Sequence, residues 1–205
     1  MDAVTLAELL CARLCHDMSG PVGAAAAGAE LIADMGDGVD AETLALVSAS
    51  AGAGSARLKF FRAALGPAAS GTVAIAALRE QVDGYLSSLA SSGLRVELDW
   101  RAGPAGLGGD AARLMLNLIV LAKDALPRGG RIVVAVEDGL PRVEAYGEPA
   151  ALSGDVAAVL EQGAAPGSPR EAQAYLARTL AHRTGGGLRT EVRSGGLAFL
   201  AAPQK

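Results

Sequence analysis

Residues 14–35 read LCHDMSGPVGAAAAGAELIADM, and the periodicity of that stretch decides the fold. Leu14, Met18, Pro21, Ala25, Gly28, Ile32 and Met35 recur at alternating steps of four and three, which lays one stripe along an α-helix. Leu44, Val47, Ala51, Gly54, Leu58, Phe61 and Leu65 repeat the pattern. Gly36-Asp37-Gly38 supplies a turn between them, so the two stripes predict the seam of an antiparallel helical hairpin. A lone hairpin covers only one side of each helix. The expectation is therefore a homodimer in which two hairpins form a four-helix bundle.

Outward from the hairpin, Gly66-Pro67-Ala68-Ala69-Ser70-Gly71 breaks the pattern and marks a boundary between residues 1–66 and 72–205. The second part mixes periods. Residues 73–89, 110–126, 153–161 and 170–183 read as helices. Residues 94–100, 131–136, 142–146, 188–193 and 197–201 read as strands, with turns at Asp138-Gly139 and Gly195-Gly196. That order predicts an α+β chain, with the hairpin followed by a sheet covered on one face by helices.

Composition narrows the function. The 205 residues are 51% hydrophobic and 20% charged, a globular balance, and only seven are aromatic, so Ala, Leu and Val must build the core. A net charge of −4 argues against a general nucleic-acid binder. The acids crowd the start, seven against one base over residues 1–40. The apolar runs are too short to cross a membrane, and Met1–Leu10 has no basic n-region. Cys11 and Cys15, four apart, fit a reduced, cytoplasmic protein.

His16 is one of two histidines, and on a helical wheel it lies opposite the apolar stripe, facing solvent. An exposed imidazole is largely neutral at pH 7 and is then a nucleophile. Asp17 follows it and is expected to accept a hydrogen bond from one ring nitrogen, sharpening the other. In a hairpin turned near residues 36–40, facing positions sum to about 75 or 76, which sets His16 level with Lys59. Lys59 and Arg62 are thus candidate cations for a partner group beside the ring, or a solvated basic edge that keeps the helix soluble, with Arg57 ranked below them. Cys11, Cys15 and His16 do not make a metal site, because no fourth ligand is in view. His182 at a helix end suits the helix dipole and is assigned no chemistry.

His16-Asp17-Met18-Ser19-Gly20-Pro21-Val22 resembles the H-box of sensor histidine kinases. With Leu14-Cys15, the Arg57–Arg62 stretch and no sensor domain, the chain resembles the ChpT-type histidine phosphotransferases along nearly its whole length. The resemblance implies a phosphotransferase. Receiver domains of response regulators and of a hybrid histidine kinase would dock near His16, contacting Arg13, Met18, Ser19, Gly20, Lys59 and Arg62, and pass a phosphoryl group through the ring. Magnesium would sit on the receiver, and this chain would bind no cofactor. The element order after residue 71 resembles the ATP-binding domain of the kinases, but its nucleotide motifs are lost. Leu121 stands where the second metal-binding Asn belongs, four after Asn117, and Tyr146-Gly147-Glu148-Pro149 replaces the adenine-reading stretch. Many such kinases carry Thr or Asn at the position of Gly20, where it steadies a hydrolytic water. The alternative is a scaffold that binds receivers without turnover.

Overall fold

A computed structural model describes residues 1–103 and 105–203. Helix α1 (Ala3–Met35) starts at Asp2, whose carboxylate accepts from the Val4 and Thr5 amides at 3.0 Å each. A single 3₁₀ turn over Gly36–Gly38 reverses the chain. Helix α2 (Ala41–Leu65) starts at Asp40, which caps the Thr43 amide at 2.7 Å. The predicted pairing holds. Gly28 faces Val47, and Pro21 faces Gly54. A Cβ on Gly28 would lie 2.3 Å from Val47 Cγ2, so the absence of a side chain is what lets the helices approach.

The seam itself is only half covered. Val47 is half-buried and Gly54 and Phe61 are buried, but Leu44, Ala51 and Leu58 of the same stripe are exposed, Leu44 and Leu58 by 52% and 53%. One helix cannot cover a two-residue-wide stripe. Val22 and Leu31 on α1 and Leu46 on α2 are exposed as well.

A two-residue strand β1 (Thr72–Val73) leads into α3 (Ile75–Leu89), followed by β2 (Val96–Trp100), a second short strand β3 (Leu107–Gly108) and α4 (Gly109–Asp124). Then come β4 (Gly130–Glu137), β5 (Leu140–Tyr146), α5 (Gly154–Gln162), α6 (Pro169–Arg183), β6 (Gly186–Arg193) and β7 (Gly196–Pro203). Strands β1 and β3 pair as a small antiparallel ribbon that sequence periodicity is too short to announce. The main sheet runs β2-β4-β5-β7-β6, parallel between β2 and β4 and antiparallel elsewhere. Asp138 and Gly139, at φ +51° and +76°, make the β4–β5 turn, the left-handed pair that suits a two-residue hairpin. The β6–β7 turn falls one residue earlier than predicted, on Ser194-Gly195.

Helices α3, α4 and α6 pack on one face of this sheet. The core runs through α4, where every residue from Leu114 to Ala122 is buried. The other face is a polar ladder, in which Arg142 and the Tyr146 hydroxyl both donate to Glu144. The α/β part also packs on the hairpin. Phe60 of α2 stacks on Tyr85 of α3 with ring centroids 4.1 Å apart, Phe61 meets both rings edge-on, and α1 lies against α6.

Candidate functional site

Pro21 shapes the turn that carries His16. Proline has no N–H, so the carbonyl four residues earlier, that of Asp17, loses its helical donor. Arg57 supplies the replacement, with Nη1 donating to the Asp17 carbonyl at 2.8 Å. The same guanidinium donates to Ser88 Oγ at 3.1 Å, to the Ser88 carbonyl at 2.9 Å and to Ser92 Oγ at 3.1 Å. Arg57, ranked last of the α2 cations from the sequence, is the one that reaches the histidine turn. Its side chain spans the offset that a level-by-level count ignores. Being 5% exposed, it is a strut rather than a free surface charge.

Arg13, one turn ahead of His16, is not on the partner-facing surface where it was expected. It is 3% exposed and its guanidinium is fully engaged. Nη1 and Nη2 grip Asp124 at 2.7 and 2.9 Å, and Nε donates to Asp17 Oδ2 at 2.9 Å. Burial alone would weaken the Arg13 charge, but Asp124 and Asp17 offset it and raise its pKa above the ordinary arginine value. Burial pushes the Asp124 carboxyl up, yet Lys123 and Arg13 pull it below the usual carboxylate range. Lys123 also forms an ion pair with Asp124.

This arrangement corrects the expected link between Asp17 and His16. The Asp17 carboxylate is held by Arg13, and no hydrogen bond joins it to the ring. Successive helical side chains diverge by about 100°, so i and i+1 do not face each other, whereas i and i+4 do.

His16 is exposed, as the helical wheel predicts, and it lines a cleft of about 520 Å³. Arg13 and Asp17 contribute from α1, Lys123 and Asp124 from the end of α4. Ser153, Asp155 and Val156 at the start of α5 and Ser168 to Glu171 at the start of α6 close the far wall. Ser168 caps α6 and bonds Glu171 reciprocally, which fixes that wall. The lining carries Asp17, Asp124, Asp155 and Glu171 beside Arg13, Lys123 and Arg170, with Arg13 and Lys123 held in ion pairs, so an imidazole there can attack an electrophilic phosphorus while Arg170 meets its oxygens.

The remaining candidates fall in two places. Met18 is half-buried, Ser19 and Gly20 are exposed, and Ser19 Oγ donates to the Cys15 carbonyl at 2.6 Å. A Cβ on Gly20 would meet nothing within 4 Å, so close helix packing does not require glycine there. Lys59 and Arg62 line a separate groove of about 510 Å³ between α2 and α3, with Glu80 and Gln81. Lys59 is level with His16 along the bundle but on another side of it. Pairing arithmetic gives height and not direction.

Sequence reasoning missed Lys123, Asp124 and the α5–α6 wall. The one available signal was a charged pair ending a helix with a strongly apolar middle. Asn117 is fully buried, with its amide donating to the Ala64 carbonyl at 2.9 Å and the Arg113 carbonyl at 2.7 Å, while Gln173 donates to its carbonyl. It therefore ties α2, α4 and α6 together and faces no ligand space. Leu121 is 1% exposed. Among the described residues no group of three or more His, Cys, Asp or Glu side chains is placed to hold a metal ion. Among the described residues no helix is long and apolar enough to cross a membrane.

Comparison with known proteins agrees with this geometry. Residues 78–195 match the family model of the histidine phosphotransferase C-terminal domain. Over 141 residues the chain is 36% identical to the protein phosphotransferase ChpT of Brucella abortus (strain 2308), covering 67% of this chain and 63% of that protein. The chain thus spans less than two thirds of that relative's length. A solved structure of a bacterial phosphotransferase superposes with a TM-score of 0.81 at 29% identity, covering 97% of this chain and 96% of the other.

Proposed function

The chain belongs to the histidine phosphotransferase family, and on that premise we propose that it carries a phosphoryl group between receiver-domain aspartates through His16. The observation that carries this reading is the exposed H-box histidine at the mouth of a cation-bearing cleft. A receiver bearing an aspartyl phosphate docks over α1. The unprotonated ring nitrogen attacks phosphorus in line, an N–P bond forms, and the P–O bond breaks as the aspartate carboxylate leaves with the electron pair. A second receiver's carboxylate reverses the step. Positioning and charge neutralisation provide the catalysis, with magnesium brought by the receiver.

Within this proposal His16 is the reacting group, and Asp17 acts by holding Arg13. Met18, Ser19 and Gly20 form the docking surface, while Lys59 and Arg62 offer a second one in their own groove. The partners are response-regulator receivers and the receiver of a hybrid histidine kinase, in the cytoplasm, with neither nucleic acid nor membrane. Residues 1–66 serve dimerisation and phosphotransfer, and residues 72–205 form the brace and second wall. A second copy covering Leu44, Leu58, Val22 and Leu31 accounts for their exposure, which supports the homodimeric bundle. Gly20 offers no side chain to steady a water, so phosphate lost from a receiver should pass through phospho-His16. The burial of Asn117 and Leu121 favours a domain that takes no ATP.

The test is a relay. Purified chain is mixed with one phosphorylated receiver, and a second receiver is then added. Label should appear on the chain and move on. A receiver that keeps its label in the presence of the chain would leave only scaffolding.

A further inference from the structure

The ionic cluster behind His16 has no assigned part in the transfer step. Asp124 ends α4 and belongs to the α/β part, yet its carboxylate grips Arg13 bidentately one helical turn from His16. Through Nε of Arg13 the grip extends to Asp17, next to His16. A buried ion pair of this kind adds little net stability against apolar replacements of equal volume, and its best-attested use is to fix one arrangement over others. Here the arrangement fixed is the end of α4 against the histidine turn.

We propose that Asp124 is a positioning residue for phosphotransfer, acting through Arg13 to hold the end of α4, and the cleft it lines, against the His16 turn. The proposal rests on His16 being the phosphoryl acceptor.

The charges facing the ring come from several elements. Arg13 and Asp17 lie on α1, Lys123 and Asp124 on α4, Asp155 on α5, and Arg170 and Glu171 on α6. Helix α2 adds Arg57 behind the turn. Asp124→Asn keeps the side-chain shape and weakens the grip on Arg13, whereas Asp124→Glu keeps the charge that makes it.

Transfer from a phosphorylated receiver decides the matter. In Asp124→Asn, kcat should fall at least about fivefold with KM within about twofold, because the docking surface is untouched, and Asp124→Glu, which keeps the charge that grips Arg13, should recover most of the loss. An Asp124→Asn chain that keeps its kcat overturns the proposal. So does a KM effect without a kcat effect, or an Asp124→Glu chain as slow as Asp124→Asn. An unmodified chain that accepts no label refutes the phosphotransfer reading instead.

Discussion

Replacing Arg57 by Met should show that this residue does the work of the amide Pro21 lacks. Arg57 makes four hydrogen bonds, to the Asp17 carbonyl, to Ser88 Oγ and the Ser88 carbonyl, and to Ser92 Oγ. Two of these partners keep something after the substitution. The Ser88 carbonyl still accepts from Ser91 Oγ, and Ser88 Oγ still donates to the Tyr85 carbonyl. The Asp17 carbonyl loses the donor that replaces the missing Pro21 N–H. An orphaned, part-buried carbonyl costs about 1–3 kcal/mol; the other lost bonds add to this, and freeing the guanidinium from burial subtracts from it. The net loss should be near 3 kcal/mol, a large share of the roughly 5–15 kcal/mol that folds a domain. Pro21→Ala supplies the missing N–H. In that background Arg57→Met should cost about 1–2 kcal/mol less, because the new amide bonds the Asp17 carbonyl. Urea unfolding of the four proteins, at one protein concentration and followed by far-ultraviolet circular dichroism, gives the coupling. Equal costs in both backgrounds would refute the reasoning, since Arg57 would then owe nothing to the proline.

Gly20→Ala should stabilise the chain by about 0.5–1 kcal/mol in the same assay, because the added Cβ meets open space in a helix interior. Gly28→Ala should instead destabilise by about 1–3 kcal/mol, because its Cβ would strike Val47. Millimolar Mg-ATP should leave the melting temperature unchanged, and an upward shift would reveal a nucleotide site. Acid should weaken the fold through Asp124 and Glu144, whose carboxyls lie below their ordinary values despite burial, Asp124 through Lys123 and Arg13, Glu144 through Tyr146 and Arg142. A folded-state pKa below the unfolded one gives stability that is present above the unfolded value and lost as pH falls through the folded one, so urea midpoints should decline below about pH 4. The decline should be shallower in Asp124→Asn, and a rise on acidification would contradict it.

The hairpin was legible because its stripe keeps one period over two helices and its turn is made of Gly36, Asp37 and Gly38. The pairing of Gly28 with Val47 and of Pro21 with Gly54 follows from that turn alone. His16 was legible for the same reason, since its exposure is a matter of angle on one helix. Direction around the bundle was not. Lys59 shares the height of His16 but lies in the groove with α3, and Arg57 points inward. Whether Leu44 and Leu58 are covered depends on a second body that periodicity does not position. The contact of Arg13 with Asp124 spans 111 residues and joins two parts with different periods, so no local pattern announces it. Leu121 was readable as the departure from a nucleotide-binding motif that Asn117 keeps, but the bonds of Asn117 to Ala64 and Gln173 come from tertiary packing.

The central claim is that phosphate resides on His16. A phosphorylated receiver incubated with the unmodified chain and with His16→Ala, followed by acid and alkaline washes, tests it directly. The ring is exposed, so its removal leaves no cavity, and the variant should fold and melt as the unmodified chain does. The account predicts acid-labile, alkali-stable label on the unmodified chain and none on His16→Ala. Label retained by His16→Ala, or faster release of phosphate from the receiver by that variant than by the receiver alone, would contradict it.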